Sequence, residues 1–381
     1  MNEYTICIVF IALGFILSLC MESFILPRII LISRRKQLYD IPDERKEHKS
    51  LVSRLGGVSF LPVLFLSSII TIYARCKFLD DIITPGFYII LSNFMMLTSG
   101  LLVLYIVGIK DDLSGVNYKK KLFMQFIASC FLVLSGTYIN NFYGLFGIYE
   151  IPLYIGIPFS MILCIFITNS INLIDGIDGL ASGISGAALV VYGYLFYISK
   201  QWTFSIICFT MLGILVSFFY YNVFSDKNKI FMGDTGSLML GFLLSFFGIR
   251  LAMNLPELPT GSPAGAILVA GSALFIPMFD TIKVMFARIC ARRSIFSPDR
   301  RHIHHRLIDI GFSQKIAMLI IVSASIVITL TNFYALNYID INIVFLADVI
   351  IAYSSNKIIA YHRYKKRQMI FALSKFPKNE R

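Results

Sequence analysis

The sequence predicts an all-α polytopic membrane protein of about eleven transmembrane helices, N-terminus outside and C-terminus cytoplasmic. Composition is the first reason. Of 381 residues 57% are hydrophobic and only 15% charged, and mean hydropathy is +0.75. A soluble domain carries roughly 45–50% apolar and about 25% charged residues. The second reason is that the apolar residues fall in runs of membrane-spanning length. The third is the placement of lysine and arginine: 28 of the 34 fall in alternate loops and the C-terminal tail. Basic residues collect on the cytoplasmic side, and opposite-facing termini require an odd number of spans.

Taken in order, the first run, 5–26, has no basic segment before it and no small-residue cleavage site, so it is a helix and not a secretion signal. The run 56–73 follows Gly56-Gly57, 84–107 leads into Asp111-Asp112, and 120–139 opens on Lys119–Lys121. The runs 153–171 and 180–198 flank a segment rich in Asn, Asp and Gly. After 203–222, the run 236–252 starts at a Gly-Asp-Thr-Gly-Ser segment, and 263–282 carries Asp280 near its cytoplasmic end. The runs 314–335 and 341–360 close the bundle. Residues 1–360 read as one integral membrane domain with cytoplasmic loops, and 361–381 as a basic cytoplasmic tail. The seven cysteines are odd in number and mostly within apolar runs, which suits small buried hydrophobes. The net charge of +12 sits between apolar spans, so it points to a bilayer surface or an anionic substrate and away from nucleic acid.

Five polar segments fall on the predicted cytoplasmic face. Asp111 and Asp112 follow an apolar run, where carboxylates are costly unless paired or bound to metal. Neighbours on a helix point about 100° apart, so the two have different tasks, such as metal binding, base action or orienting a partner. Solvated acids at a helix end are the bland alternative. Lys121 is a natural counter-charge, placed to meet a phosphate. Asn169, Asn172, Asp175 and Asp178 recur at steps of three, which drift around a helix, and Gly176 and Gly179 indicate that the helix ends there and lines a polar pocket. In Gly233-Asp234-Thr235-Gly236-Ser237, Asp234, Thr235 or Ser237 is an N-cap for the next span. The same geometry offers N–H groups to a phosphate and Asp234 to Mg²⁺.

The fourth segment, 297–307, holds His302, His304 and His305 beside Arg300, Arg301 and Arg306. A zinc site with Asp299 is one reading, but three cations would repel a metal, and histidine with arginine suits an anionic substrate. A solvated basic loop is the plain alternative. The fifth, 41–57, is a charged loop that becomes a fixed approach to the membrane at Gly56-Gly57. Together these parts suit metal-dependent phosphoryl transfer between a soluble and a lipid reactant. No P-loop, dinucleotide fingerprint or HExxH motif is present. The rival class is a transporter or flippase for an anionic lipid or nucleotide sugar, whose charges belong at mid-membrane depth and on both faces.

Four of these segments, in this order, resemble the polyprenyl-phosphate N-acetylhexosamine-1-phosphate transferase family: Asp111-Asp112, Asn172-Leu173-Ile174-Asp175-Gly176-Ile177-Asp178-Gly179, Gly233-Asp234-Thr235-Gly236-Ser237 and His302-Ile303-His304-His305. The loop Asp43…Arg45-Lys46…His48…Arg54-Leu55-Gly56-Gly57 is similar to that family's first cytoplasmic loop, so the likeness spans about 40–315. The resemblance implies that a UDP-N-acetylhexosamine donates its sugar 1-phosphate to undecaprenyl phosphate, giving undecaprenyl-diphospho-sugar and UMP. It implies Mg²⁺, with Mn²⁺ as a substitute, held by Asp234 with Asn172. It assigns Asp111, Asp112 and Asp234 to catalysis, and Asp175, Asp178, Lys121, Arg301, His302, His304 and His305 to nucleotide or substrate binding. The His-Ile-His-His pattern is similar to the branch that begins O-antigen, teichoic acid or capsule synthesis, with GlcNAc as the expected sugar and an epimeric or 6-deoxy sugar as the alternative. It also implies a multi-pass protein of the bacterial inner membrane with its active site facing the cytoplasm, and a homodimer by family analogy.

Overall fold

The protein is described here by a computed structural model covering residues 3–38, 52–79, 85–253, 264–294 and 301–374. The helices in chain order are α1 (Glu3–Arg35), α2 (Phe60–Phe78), α3 (Pro85–Ser114), α4 (Tyr118–Leu134), α5 (Leu153–Ile174), α6 (Leu180–Ile198), α7 (Trp202–Phe219), α8 (Gly233–Met253), α9 (Ala264–Ala273), α10 (Phe275–Cys290), α11 (Ile303–Ile310), α12 (Gln314–Ala335) and α13 (Ile341–Ser374). A 3₁₀ turn at Leu55–Ser59 precedes α2, and a π turn at Tyr220–Phe224 follows α7. Among the described residues there is no strand, only two isolated bridges, Ser53 with Ile230 and Asn141 with Glu150.

Nine of the described helices are long and apolar enough to cross a membrane, and the pair α9–α10, bent by 73°, makes a tenth if it is one span. The expected single run at 263–282 is therefore broken. Pro277, in the first turn of α10, has no N–H to continue the ladder. The carbonyl of Ala273 instead accepts from the Ser325 hydroxyl at 3.2 Å. The expected run at 120–139 is α4, which stops at Leu134. Gly136 there takes a left-handed φ of +74°, and the Thr137 N–H closes back on the Leu132 carbonyl at 3.3 Å. The last helix continues past 360 to Ser374 without interruption.

α8 is the hub. Its apolar residues are spread around its whole circumference, the pattern of a helix enclosed on every side. In its apolar window 83% is buried, against 11% for α13 at the periphery. Helix α8 packs against α3, α5, α6 and α9, and α1 packs along α7. Gly241 permits the approach of α5: a Cβ there would stand 2.6 Å from the Thr168 Cα. Small residues let membrane helices approach closely where apolar burial alone gives no drive.

Candidate active site

The site is assembled around the N-terminus of α8. Gly233, at φ +72°, turns the chain into the helix, whose first N–H groups have no intrahelical partners. They are met by Asp112 at the end of α3. Its Oδ1 accepts from the Asp234 N–H at 2.7 Å, and its Oδ2 accepts from the Thr235 N–H at 2.9 Å and the Thr235 hydroxyl at 2.6 Å. A carboxylate at this end is also favoured by the helix dipole. The approach depends on Gly108, one turn earlier on α3, where a Cβ would lie 2.4 Å from the Thr235 Cα. The end of the first loop lies across the same helix start. Gly56 and Gly57 donate to the carbonyls of Phe231 and Met232 at 3.0 and 2.9 Å.

Asp111, pointing elsewhere on α3, belongs to a different cluster. Its Oδ1 accepts from the Val116 N–H at 2.7 Å, and its Oδ2 receives the Lys121 ammonium at 3.0 Å. The same ammonium lies 2.6 Å from the Asp234 Oδ1 and 3.5 Å from the Asn172 Oδ1. Asn172 in turn donates to the Asp234 Oδ1 at 2.5 Å and to the Ser237 hydroxyl at 2.7 Å. Two helices and the start of a third thus aim oxygens at one cation carried by a fourth. The first amide of the pattern, Asn169, exchanges two hydrogen bonds with Gln125 at 2.7 and 3.2 Å, fixing α4 against α5.

The lysine is a stand-in that tests the fit of a metal. Two carboxylates and an amide oxygen converge where it sits, and such hard oxygens suit Mg²⁺, which is commonly held by one or two carboxylates with waters and substrate phosphates. Among the described residues no three His, Cys, Asp or Glu side chains gather to hold a metal by themselves. That includes the zinc reading of the histidine segment, though Asp299 lies outside the described residues.

Helix α5 ends at Ile174, as the glycines indicate, so Asn169 and Asn172 are helical while Asp175 and Asp178 lie in the following turn. The turn is pinned by Asn222 of the π turn. Its Oδ1 accepts from the Gly179 N–H at 2.6 Å, and its Nδ2 donates to the Ile230 carbonyl at 2.9 Å. Asp178 forms an ion pair with Lys229 at 2.5 Å. Asp175 has no such partner among the described residues. Burial, with the charges of Asp234, Asp178 and Asp112 nearby, raises its pKa to about 7, and Arg54 opposes the rise.

The three histidines separate. His302 points its Nδ1 at the Asp280 Oδ2, 2.8 Å away, and Asp280 also accepts from the Ile303 N–H at 3.0 Å and from Lys283. Asp280 thereby caps α11. His304 is buried, with neither ring nitrogen hydrogen-bonded, and is packed so tightly on the preceding turn that a Cβ on Gly176 would meet its Nε2 at 2.3 Å. Burial first, and then the neighbouring His305, push its pKa down to about 3, so the ring is neutral. The His305 ring lies 4.2 Å from that of His304. Arg301 reaches the Ala287 carbonyl at 3.5 Å.

The fold therefore brings Asp111, Asp112, Lys121, Asn172 and Asp234 together, sets Asp175 beside them, and brings His304 against the same turn. Asp178 faces Lys229, while His302 and Arg301 face α10. Asp43, Arg45, Lys46 and His48 lie outside the described residues. Asn222 and Gln125 were not expected from the sequence. The only signal for either was one amide in an apolar run, Tyr220-Tyr221-Asn222-Val223-Phe224 for the first and the start of α4 for the second.

Comparison with known proteins gives consistent results. The sequence pattern of glycosyl transferase family 4 matches residues 94–252. An undecaprenyl-phosphate alpha-N-acetylglucosaminyl 1-phosphate transferase from Yersinia pestis is 30% identical over 295 residues, covering 76% of this chain and 74% of its own length. The protein of the same name from Escherichia coli O157:H7 is 28% identical over 301 residues, covering 77% and 75%. A Bacillus subtilis (strain 168) protein, named a probable undecaprenyl-phosphate N-acetylglucosaminyl 1-phosphate transferase, is 29% identical over 315 residues, covering 82% and 81%.

Proposed function

Because the chain belongs to glycosyl transferase family 4, we propose that it transfers GlcNAc 1-phosphate from UDP-GlcNAc to undecaprenyl phosphate, releasing UMP. The observation that carries this reading is the convergence of Asp111, Asn172 and Asp234 on one cation at the start of a buried helix. An oxygen of the lipid phosphate attacks the phosphorus bonded to the sugar. The new P–O bond forms as the bond between the two phosphates breaks, and UMP leaves with that bridging oxygen. A phosphate monoester has a second pKa of about 6, so the attacking oxygen is already largely ionised at neutral pH and a strong base is not required.

Asp234, with Asp111 and the Asn172 oxygen, would hold Mg²⁺, which would supply charge neutralisation at the pyrophosphate. Asn172 holds the Asp234 carboxylate in place through its amide nitrogen. Asp112 spends both oxygens on α8, which makes it a positioning residue for Asp234. Lys121 supplies positive charge to a substrate phosphate. His304, neutral and unpartnered, and Asp175 face the nucleotide part of the donor. The basic loops at this end support a site on the cytoplasmic side of the inner membrane. Its sugar product begins a cell-surface polysaccharide. A homodimer stays a proposal by family analogy.

The test uses the full chain purified in detergent with undecaprenyl phosphate, Mg²⁺ and a panel of UDP-sugars, reading UMP and the lipid product. UMP formation with UDP-GlcNAc that stops on chelation and is abolished in Asp234→Asn is expected. UMP release from correctly inserted Asp234→Asn at the parent rate overturns the metal assignment. No UMP with any donor from folded protein overturns the enzyme reading.

A further inference from the structure

On the side of α11 away from the reaction centre lies a cavity of about 380 Å³, bounded by α10, α11 and α13. Four cationic side chains line it: Lys283 from α10, Arg301 and Arg306 from the start and middle of the histidine segment, and Arg363 from α13. Residues two apart on a helix point about 200° apart. His304 therefore faces the Gly176 turn while Arg306 faces this cavity, and the two sites lie on opposite sides of one short helix.

Among the described residues the cations of the cavity are met unequally. Lys283 is met by Asp280 and Arg363 by Asp309. Arg306 is only 8% exposed, yet its guanidinium is held by the Asn356 side-chain oxygen and, at 3.0 Å, the Asn356 carbonyl, both neutral. No carboxylate among the described residues lies within ion-pair distance of it. Burial first, and then the positive charge of Arg363 across the same space, hold the Arg306 guanidinium below its ordinary pKa, and the charge of Asp280 opposes the shift. A buried cation opposed by a second one is unfavourable unless an anion stands between them. Guanidinium groups bind phosphate through paired N–H donors, more specifically than an ammonium does.

We propose that this cavity is a binding site for a phosphate-bearing anion, separate from the catalytic centre, which bridges Arg306 and Arg363 and so ties α11 to α13. Its surroundings fit a membrane-surface source. Phe286 and Ile289 on α10 and Tyr361 on α13, on two of the helices that line the cavity, carry exposed large side chains, and a basic cluster at the end of a membrane helix attracts anionic headgroups. A soluble phosphate offers the same chemistry, and the two sources separate experimentally.

The experiment measures the Tm of the full chain in zwitterionic detergent, with added phosphatidylglycerol, phosphatidylcholine or inorganic pyrophosphate, for the parent, Arg363→Gln, Arg363→Lys and Arg306→Gln. The expected result is a Tm rise in the parent that is at least halved in Arg363→Gln, is lost in Arg306→Gln and is retained in Arg363→Lys. A rise with phosphatidylglycerol but not with pyrophosphate identifies a headgroup, and the reverse identifies a soluble phosphate. Pyrophosphate bound at the catalytic centre shifts parent and Arg363→Gln alike and cancels in the comparison. Equal shifts in parent and Arg363→Gln for both ligands, or no shift in the parent, overturn the proposal. If Arg306→Gln does not fold, Arg363→Gln alone decides.

Discussion

The Lys121 ammonium stands 2.6 Å from the Asp234 carboxylate, joining the start of α4 to the start of α8, and it reaches Asp111 from the same position at 3.0 Å. Unit charges this close interact by several kcal/mol even at an effective dielectric of about 20. A divalent cation held by Asp234, as proposed, would compete with the lysine, and a displaced lysine would be free to meet the substrate phosphates. Lys121→Gln is expected to bind Mn²⁺ roughly tenfold more tightly than the parent in the absence of substrate, read by electron paramagnetic resonance. It should also lose on the order of 10²-fold in UMP release, the scale of removing one charge-stabilising group. Unchanged or weaker Mn²⁺ binding in this variant would remove the lysine from the metal's place.

Asp112 spends both carboxylate oxygens on the start of α8, and in the proposed positioning role its variants should separate by what they leave at the helix start. Asp112→Asn keeps one acceptor and loses the charge facing the dipole. Asp112→Ala leaves two N–H groups and the Thr235 hydroxyl without their acceptor. Loss of such a cap costs about 1–2 kcal/mol, and a 1 Å displacement of a reacting group can cost about 10²-fold in rate. The expected order of UMP release is parent, then Asn lower by roughly tenfold, then Ala lower by about 10²-fold or more, with Tm falling in the same order. Full activity in Asp112→Ala would show that Asp234 holds its position unaided.

Asp175 gives the site a pH-dependent stability. Its carboxyl is raised to about 7 by burial and neighbouring acids, so between about pH 4 and 7 the folded chain keeps a proton that the unfolded chain has released. Folding is then progressively less favourable as pH rises through that window, with the full cost present above pH 7. Asp175→Asn removes the cost. Its Tm is expected to exceed the parent's by roughly 2–4 °C at pH 8, by less at pH 5, while UMP release falls. A Tm difference that is the same at both pH values would contradict the raised carboxyl.

His304 works in the opposite direction. Burial depresses its pKa to about 3, so below about pH 6.5 the unfolded chain takes up a proton that the folded ring refuses. Stability is therefore lost as pH falls from about 7 toward 3. In His304→Gln the drop in Tm between pH 7.5 and pH 5 should be smaller than in the parent, measured by thermal denaturation in detergent. An identical drop in both proteins would mean that the ring is protonated in the folded state.

The membrane class and the four polar segments were legible because hydropathy and residue type are local properties. The end of α5 at Ile174 could be read from Gly176 and Gly179, and the different directions of Asp111 and Asp112 followed from the helical repeat. The break between Ala273 and Phe275 was not read, although Pro277 carried the signal, and neither was the early stop of α4 at Gly136. In both places a hydropathy window averages over the single residue that decides the geometry. Long-range contacts were beyond local pattern. That Lys121 would lie between two carboxylates from α3 and α8 depends on how three helices pack. That His302 would turn to Asp280 while His304 faced Gly176 depends on where α11 sits.

Asn222 is the clearest residue of that hidden kind. It lies in the π turn after α7, and π turns occur often at functional sites. One side-chain amide satisfies two backbone groups, the Gly179 N–H and the Ile230 carbonyl, which belong to the two segments carrying Asp178 and Lys229. Asn222→Ala leaves both groups buried without partners, a loss of about 1–3 kcal/mol for each such group. The turn holding Asp175 and Asp178 would then loosen, while the Asp111–Lys121–Asp234 cluster, built from α3, α4 and α8, keeps its own contacts. The expected outcome is a KM for the UDP-sugar raised about tenfold with kcat reduced much less, the pattern of lost ground-state binding. Asn222→Asp, which can still accept from Gly179 but cannot donate to Ile230, should fall between. A reduced kcat with unchanged KM in Asn222→Ala would show that the turn supports the reaction centre instead of the nucleotide.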